Sequence, residues 1–384
     1  MQMKFLLFAN TSWYLYNYRL PLVRTLSTRG EVTLLAPPDD YSSRFKDEGA
    51  RWLPFQLSRR GMNPFAELLT IFRLARLYRR ERPDLIHHFT IKCVLYGSIA
   101  ARLAGVRGVV NSVTGLGFVF SRADWRGRLL NPFVRAFYRF ALRGTQVIFQ
   151  NADDRDLFVR EGLLDPARVT LVRGSGVDLT RYEVRPEADG SPIVLLAARL
   201  LWDKGVGDFV EAARRIRTLR QAQGGASGLA ARFVIVGDTD AGNPSAIPAD
   251  QLRAWNEAGD IEWWGWRDDM PEVVASSHIV CLPTYYKEGL PRLLLEGAAC
   301  ARPLVATDIP GCREIVTNNV NGLLIPPRNV DALTESLRTL LSDGSLRRRM
   351  GAAGRARVEK EFSVEHVNEA TLEVYGRALS GKPV

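Results

Sequence analysis

Two glutamates, Glu288 and Glu296, stand on either side of a short glycine- and proline-containing turn in the stretch YYKEGLPRLLLEGAACARPLVATDIPGCREI, Tyr285 to Ile315. The apolar run HIVCLP, His278 to Pro283, leads into it as a strand. Gly289 and Pro291 then open a helix, because glycine tolerates a tight turn and proline suits the first helical position. Glu288 therefore falls at a strand-to-helix elbow, and Glu296 about two turns into a helix that reads apolar on nearly every side. A carboxylate in such a helix needs partners. The backbone N–H groups of Gly289 and Leu290 can meet anionic oxygens, and two carboxylates can accept hydrogen bonds from sugar hydroxyls. That combination suits a ligand that is part phosphate and part polyol, as a nucleotide-sugar is. The alternative is a solvated loop residue beside a core carboxylate held by the protein itself.

Arg199 and Lys204 flank the turn after the strand PIVLLAA, where both cations can reach out toward one diphosphate. When a nucleotide-sugar is the donor, the leaving group is that diphosphate, and fixed cations stabilise its growing charge in the transition state. A solvated surface pair is the bland reading. Trp266 and Arg267 lie just past the strand IEWWG. There Trp263 and Trp264 read as sheet packing and Trp266 as a candidate for stacking. Asp238-Thr239-Asp240 has the form of a motif that holds a divalent ion against a diphosphate. The chain already supplies Arg199 and Lys204 for that charge, so no metal ligand and no cofactor is assigned.

The run E-G-L-P-x-x-x-L-E, followed by P-L-V-A-T-D, G-C-R-E-I-V and N-G-L-L, resembles the donor-site signature of retaining GT-B glycosyltransferases of family four, the group with a Glu-x7-Glu motif. RGSGVD (Arg173 to Asp178), AARLLWDKG (Ala197 to Gly205) and VGD (Val236 to Asp238) fall in the order that family uses. The amino half is similar to a narrower set, through NPF at Asn63, HHFTIK at His87, TGLG at Thr114 and the pairing of LLWDKG with GNPS at Gly242. That set comprises bacterial transferases that extend polyprenyl-diphosphate-linked sugars. The resemblance implies catalytic roles for Arg199, Lys204 and Glu288, and donor contacts from Gly289, Leu290, Pro291, Glu296, Trp266, Arg267 and Gly237. It also implies a UDP-linked N-acetylhexosamine donor and a polyprenyl-diphosphate-linked glycan acceptor. Attack is then from the front face, with a donor phosphate oxygen taking the acceptor proton. Another donor, a soluble acceptor, an epimerase or phosphorylase of the same fold, and a non-catalytic nucleotide-sugar-binding regulator are the competing readings. Nucleic-acid binding lacks any of its sequence patterns.

Acceptor-side candidates are Asn10 and Thr11 after the first strand, Arg19 in the next helix, His88 at the end of DLIHHF, and Lys92, Thr114 and Gly115. Alternation along DLIHHF points one of His87 and His88 into the sheet packing and lets the other, with His88 the candidate, turn outward to a cleft; a core histidine is the alternative for each. Many family members carry a histidine where this chain has Thr114, so that role is not carried over.

These residues must be positioned by a larger framework. Apolar runs and helical patterns alternate along the whole chain, from KFLLFA and EVTLLA to PLVAT and GLLIP, which predicts parallel, doubly wound sheets covered on both faces. At 384 residues two such units are expected: 1–178 and 179–362, joined near a polar, proline-containing stretch, with a segment at about 363–384 crossing back if the GT-B resemblance holds. QAQGGASGLA, after Arg220, reads as a flexible insertion. Residues 1–178 carry 27 Lys and Arg against 15 Asp and Glu, the remainder 25 against 27, so the first unit faces an anionic partner.

The four cysteines lack paired spacing, KFLLFA is too short for a signal peptide, and no run approaches a membrane span. The expectation is a cytoplasmic protein, peripheral at the inner face of the cell membrane. Its contact would be the segment Val119 to Gly144, where six arginines interleave with aromatics against the single acid Asp124.

Overall fold

The computed structural model describes residues 2–57, 63–114, 125–222, 230–240, 242–286 and 289–381; the side chains of 64, 125–131 and 133 fall outside that description, as does most of the QAQGGASGLA segment. The chain divides into two compact units, Met1–Gly176 with Val364–Val384, and Val177–Ser363.

In the first unit the described strands β1 (Met3–Phe8), β2 (Gly30–Ala36), β3 (Arg51–Pro54), β4 (Leu85–Phe89), β5 (Gly108–Val113), β6 (Gln146–Phe149) and β7 (Val169–Leu171) form one parallel sheet in the order β3-β2-β1-β4-β5-β6-β7. The order reverses between β1 and β4, which is the doubly wound pattern that the alternation predicts. Period-2 alternation sends Phe5 and Leu7 of β1 to one face and Leu6 and Phe8 to the other, and both are buried. The first face packs under α1 (Ser12–Ser27) and a C-terminal helix, Val364–Ser380, whose Val367, Val374 and Tyr375 enter the same cluster. The second packs under α2 (Pro64–Glu81) and α3 (Ile91–Ala104). α4 (Trp125–Leu142) and α5 (Ala152–Arg160) complete the layer beside β6.

The second unit repeats the scheme with six described strands: β8 (Ile193–Ala197), β9 (Arg232–Val236), β10 (Glu262–Trp263), β11 (Ile279–Leu282), β12 (Leu304–Thr307) and β13 (Gly322–Ile325), in the order β10-β9-β8-β11-β12-β13. α6 (Val206–Ala222), α7 (Ala249–Glu257) and the later α11 (Val330–Ser342) cover one face. α8 (Met270–Ala275) and α9 (Arg292–Ala299) cover the other, and α10 (Pro310–Arg313) and α12 (Gly344–Glu361) follow in the chain. With the C-terminal helix counted as α13, the described helices are complete. Reversal between β8 and β11 leaves the carboxyl ends of those strands as the place where loops diverge to opposite sides.

One expectation is corrected here. His88 does not turn outward: both His87 and His88 are fully buried, because β4 lies between β1 and β5 with helices over each face. His87 makes 2.7 Å hydrogen bonds with the hydroxyls of Tyr375 and Ser112. His88 places Nδ1 2.8 Å from the Asn111 side-chain carbonyl oxygen, which can only accept, so Nδ1 donates and Nε2 accepts from the Tyr78 hydroxyl at 3.2 Å. A neutral ring satisfies every partner. Burial drives the His87 pKa well below its ordinary value, and burial takes His88 down to about 4 against the opposing Asn111 bond.

Both histidines thus stay neutral in the fold where the unfolded chain, with a pKa of about 6.5, takes up protons. Their stabilisation is complete above that value and is lost as pH falls toward 4. Unfolding at pH 7 and pH 5 should show the wild type losing stability on acidification, on the order of 2 kcal/mol from His88. His88→Gln should lose less; the same pH dependence in both proteins would contradict this account.

Candidate active site

The loop leaving β8 passes through Arg199 into a short 3-10 turn, Trp202–Lys204, closed by Gly205 at a φ of 73°. A Cβ on Gly205 would sit 2.0 Å from the carbonyl oxygen of Pro283, just past β11, and one on Gly237, just past β9, would sit 2.0 Å from that of Ala198. Only glycine fits either position, and Gly237, with φ 132°, also needs its backbone freedom. Hydrogen bonds close the same gaps. Leu200 N donates to Asp238 O at 3.0 Å and Trp202 N to Ser245 O at 2.8 Å, and Tyr285 N and Tyr286 N both donate to Asp203 O at 3.0 Å. The loop bearing Arg199 and Lys204, the turn at Gly237 and the elbow after β11 are therefore one braced piece. Glu288 lies outside the described residues, two positions beyond the braced Tyr286 in the sequence.

Lys204 is buried, with its ammonium 5.0 Å from the centre of the Tyr286 ring. Arg199 is half exposed and donates to Asp240 at 2.9 Å; Asn243 shares that carboxylate at 3.1 Å. Asp240 is thus an acceptor for Arg199, and among the described residues no group of three or more His, Cys, Asp or Glu is arranged to hold a metal.

Glu296 is buried on α9 and directs Oε1 at two donors, the Tyr182 hydroxyl and Arg292 Nε, each at 2.7 Å. Burial and the Glu296 charge push the Tyr182 phenol up, so it remains a donor at any working pH. Among the described residues both of these hydrogen bonds fall on one oxygen, which leaves Oε2 as an acceptor that a ligand hydroxyl can use. α9 begins at Arg292, with Pro291 in the cap position and no side-chain cap; Gly289 and Leu290 precede it, as the sequence places them. Sequence reading missed both partners of Glu296. Arg292 carried a signal, since it stands four residues before Glu296 in a helix. Tyr182 carried none, because its contact spans 114 positions.

Trp263 and Trp264 pack against the sheet as expected, the former donating to Gly237 O at 3.0 Å. Trp266 is exposed with its indole N–H on Asp268 at 3.1 Å, and Arg267 is held by Asp269 through Nε at 2.7 Å.

In the first unit, Asn10 follows β1 and Thr11 caps α1, accepting from Tyr14 N at 3.1 Å. Arg19 is buried. It donates to the Tyr14 hydroxyl at 3.0 and 3.3 Å, lies 4.5 Å from the centre of the Phe89 ring, and pairs with no carboxylate among the described residues. Lys92 is engaged by Glu67 at 2.7 Å. Thr114 follows β5, and Gly115 lies outside the described residues. Thr90, between β4 and α3, has a φ of 70°, a strained conformation for a β-branched residue that the sequence did not announce.

In the described half of the arginine-rich segment, several side chains contact the chain itself, while Arg139, Phe140 and Arg143 are exposed. Arg135 pairs with Glu161, Arg139 donates to Gly162 O at 2.8 Å, and Tyr138 is buried against Phe158, so these residues meet α5 and the two residues past its end. Residues 119–124 lie outside the described residues.

Two doubly wound parallel units in one chain, the second with a cation-bearing loop and a glutamate-bearing helix at its strand ends, define the GT-B class of glycosyltransferase. Residues 191–343 match the model for glycosyl transferases group 1 and residues 4–152 the glycosyl transferase 4-like model. The chain belongs to this glycosyltransferase family, family four, and is a hexosyltransferase. It is 29% identical over 394 residues, 99% of each chain, to the N,N'-diacetylbacillosaminyl-diphospho-undecaprenol alpha-1,3-N-acetylgalactosaminyltransferase of Campylobacter jejuni. It is 24% identical to the UDP-Gal:alpha-D-GlcNAc-diphosphoundecaprenol alpha-1,3-galactosyltransferase of Escherichia coli, over 82% of this chain and 80% of the relative. Identity to the alpha-maltose-1-phosphate synthase of Mycolicibacterium smegmatis is 30%, over 82% and 84%. Among solved structures, Anabaena Alr3699/HepE in complex with UDP and glucose matches with a TM-score of 0.76 at 17% identity, over 97% of this chain and 99% of that one.

Tyr182→Phe removes one buried donor to Glu296 and should lower stability by about 1–2 kcal/mol in denaturant unfolding. Trp266→Ala, at an exposed site, should change it by less than about 0.5 kcal/mol. An unaltered Tyr182→Phe midpoint would show that the bond carries no weight.

Proposed function

We propose that this protein is a retaining glycosyltransferase that moves an N-acetylhexosamine from a UDP-sugar to a polyprenyl-diphosphate-linked glycan, in the assembly of a cell-surface polysaccharide or glycoprotein glycan. The observation that carries this reading is the bracing of Arg199, Lys204 and the elbow before Glu288 into one piece, on the same sheet edge as the helix that bears Glu296. Lys204 and Arg199 receive the donor diphosphate, with Arg199 exchanging Asp240 for a phosphate oxygen. The exchange costs little at a half-exposed site. Oε2 of Glu296 accepts from a ribose hydroxyl, and Glu288 contacts the transferred sugar. As the bond from the anomeric carbon to the diphosphate oxygen breaks, the acceptor hydroxyl attacks the same face. Its proton passes to a phosphate oxygen of the departing UDP, whose negative charge the two cations stabilise.

UDP is supported by the UDP-Gal donor of the Escherichia coli relative and the UDP in the Anabaena complex, and the lipid-linked acceptor by the diphospho-undecaprenol acceptors of the Campylobacter jejuni and Escherichia coli relatives. On the acceptor side, the buried guanidinium of Arg19 suits an anionic group such as the acceptor diphosphate. We place the protein at the inner face of the cell membrane, in keeping with the basic balance of its first 178 residues; among the described residues no helix is long and apolar enough to cross a membrane.

Arg199→Ala and Lys204→Ala should each cut transfer by about a hundredfold or more while leaving the unfolding midpoint close to wild type. Near-normal turnover in both would remove the diphosphate assignment. In calorimetry, Glu296→Ala should weaken UDP binding, whereas Glu288→Ala should spare it and lower transfer; equal loss of UDP affinity would reject that division of roles.

A further inference from the structure

Helix α2 carries two apolar faces where a helix lying on a sheet needs one. Ile71, Leu74, Ala75 and Tyr78 are buried and form the face that packs into the core. Phe65, Leu68, Leu69 and Phe72 recur at i, i+3, i+4 and i+7, so they form a second stripe, and they are 85%, 52%, 49% and 57% exposed. One exposed leucine needs no explanation, but four large apolar side chains on one stripe mark an interaction surface.

The carboxyl half of the helix changes character without leaving that line. Arg76 and Arg79 continue the stripe, four and seven residues beyond Phe72, and Arg73 and Arg80 flank it; all four are exposed. Arg73 and Arg76 have no ion-pair partner among the described residues, while Arg79 donates to Leu103 O at 2.6 Å and Arg80 to Glu81 at 3.0 Å. The acid near the apolar end, Glu67, is taken by Lys92.

Phenylalanine and leucine continuous with arginine is the chemistry of the boundary between water and an anionic bilayer. Apolar side chains enter the acyl and headgroup boundary, and guanidinium groups meet anionic headgroups. A second copy on the same face would bring like arginines together across a two-fold axis.

We propose that this stripe of α2 docks the protein on an anionic bilayer, with the helix lying in the plane of the interface. The lipid-linked acceptor reading supplies the reason for docking, and the geometry of α2 supplies the surface.

The test is flotation with phosphatidylcholine vesicles, with and without phosphatidylglycerol, for the wild type, for Leu68→Glu with Phe72→Glu, and for Arg73→Glu with Arg76→Glu. Turnover on a water-soluble short-prenyl diphosphate acceptor is measured in parallel. The wild type should favour anionic vesicles, and each double variant should lose about tenfold or more in partitioning while turnover on the soluble acceptor stays within about twofold. Undiminished binding by both variants, or no preference of the wild type for anionic vesicles, would overturn the proposal. So would loss of self-association in the apolar variant without any change in flotation, which would assign the stripe to a second copy. Failure of the wild type to use any prenyl-diphosphate acceptor would instead reject the acceptor reading, and flotation would still decide the surface.

Discussion

Backbone packed against backbone at the carboxyl edge of the Val177–Ser363 sheet is the constraint on which the proposed donor site rests. At Gly205 and Gly237 a single added carbon would collide with the carbonyl oxygens of Pro283 and Ala198. The loops after β8, β9 and β11 therefore have no slack, and their spacing follows that of the strands. Two consecutive amides, of Tyr285 and Tyr286, converge on the single carbonyl of Asp203, which ties the elbow to the turn that carries Lys204. Groups held in this way are set before any ligand arrives. Fixed charge aimed at a departing diphosphate is effective for that reason, because little reorganisation is needed as the charge develops.

The first unit is organised by a different device. Its central strand β4 buries two adjacent histidines, one on each face, and each is satisfied by side chains from other elements. The Tyr375 bond ties the C-terminal helix to the strand whose far end leads to Thr90 and α3. Buried polar groups of this kind specify a position when fully paired, and they are costly when a proton is added. The sheet edge of the Val177–Ser363 unit is fixed by main-chain contact that pH does not touch, and the first unit's interior by rings that must stay neutral. Arg19 stands apart as a buried cation whose hydrogen bonds, among the described residues, go to the Tyr14 hydroxyl.

Much of this was legible in the sequence, and the failures have physical causes. Strand-helix alternation gave both sheets because parallel strands covered on two faces must be apolar throughout, as Leu6, Leu7 and Phe8 are. The elbow and helix around Glu296 followed from Gly289 and Pro291. His88 was misread because alternation presumes one wet face, and only topology reveals that β4 has none. The contacts of Arg135 and Arg139 with Glu161 and Gly162 O were not legible, because those partners lie past the end of α5, more than 20 residues on. The second stripe of α2 escaped notice for the opposite reason: periodic Phe and Leu read as core until the sheet's position shows which face it covers. Tyr182 reaches Glu296 from a segment that read only as a junction. Glu288 and Gly115 fall outside the described residues.

The central claim is that the carboxyl edge of β8, β9 and β11 receives the nucleoside diphosphate. Hydrogen–deuterium exchange with and without UDP measures this most directly, since the relevant amides are spread over three separate segments. The account predicts that UDP slows exchange in peptides spanning residues 198–205, 237–245 and 285–296, with little change on the opposite edges of that sheet. Protection confined to residues 4–176, or absent from all three segments while UDP is bound, would contradict it.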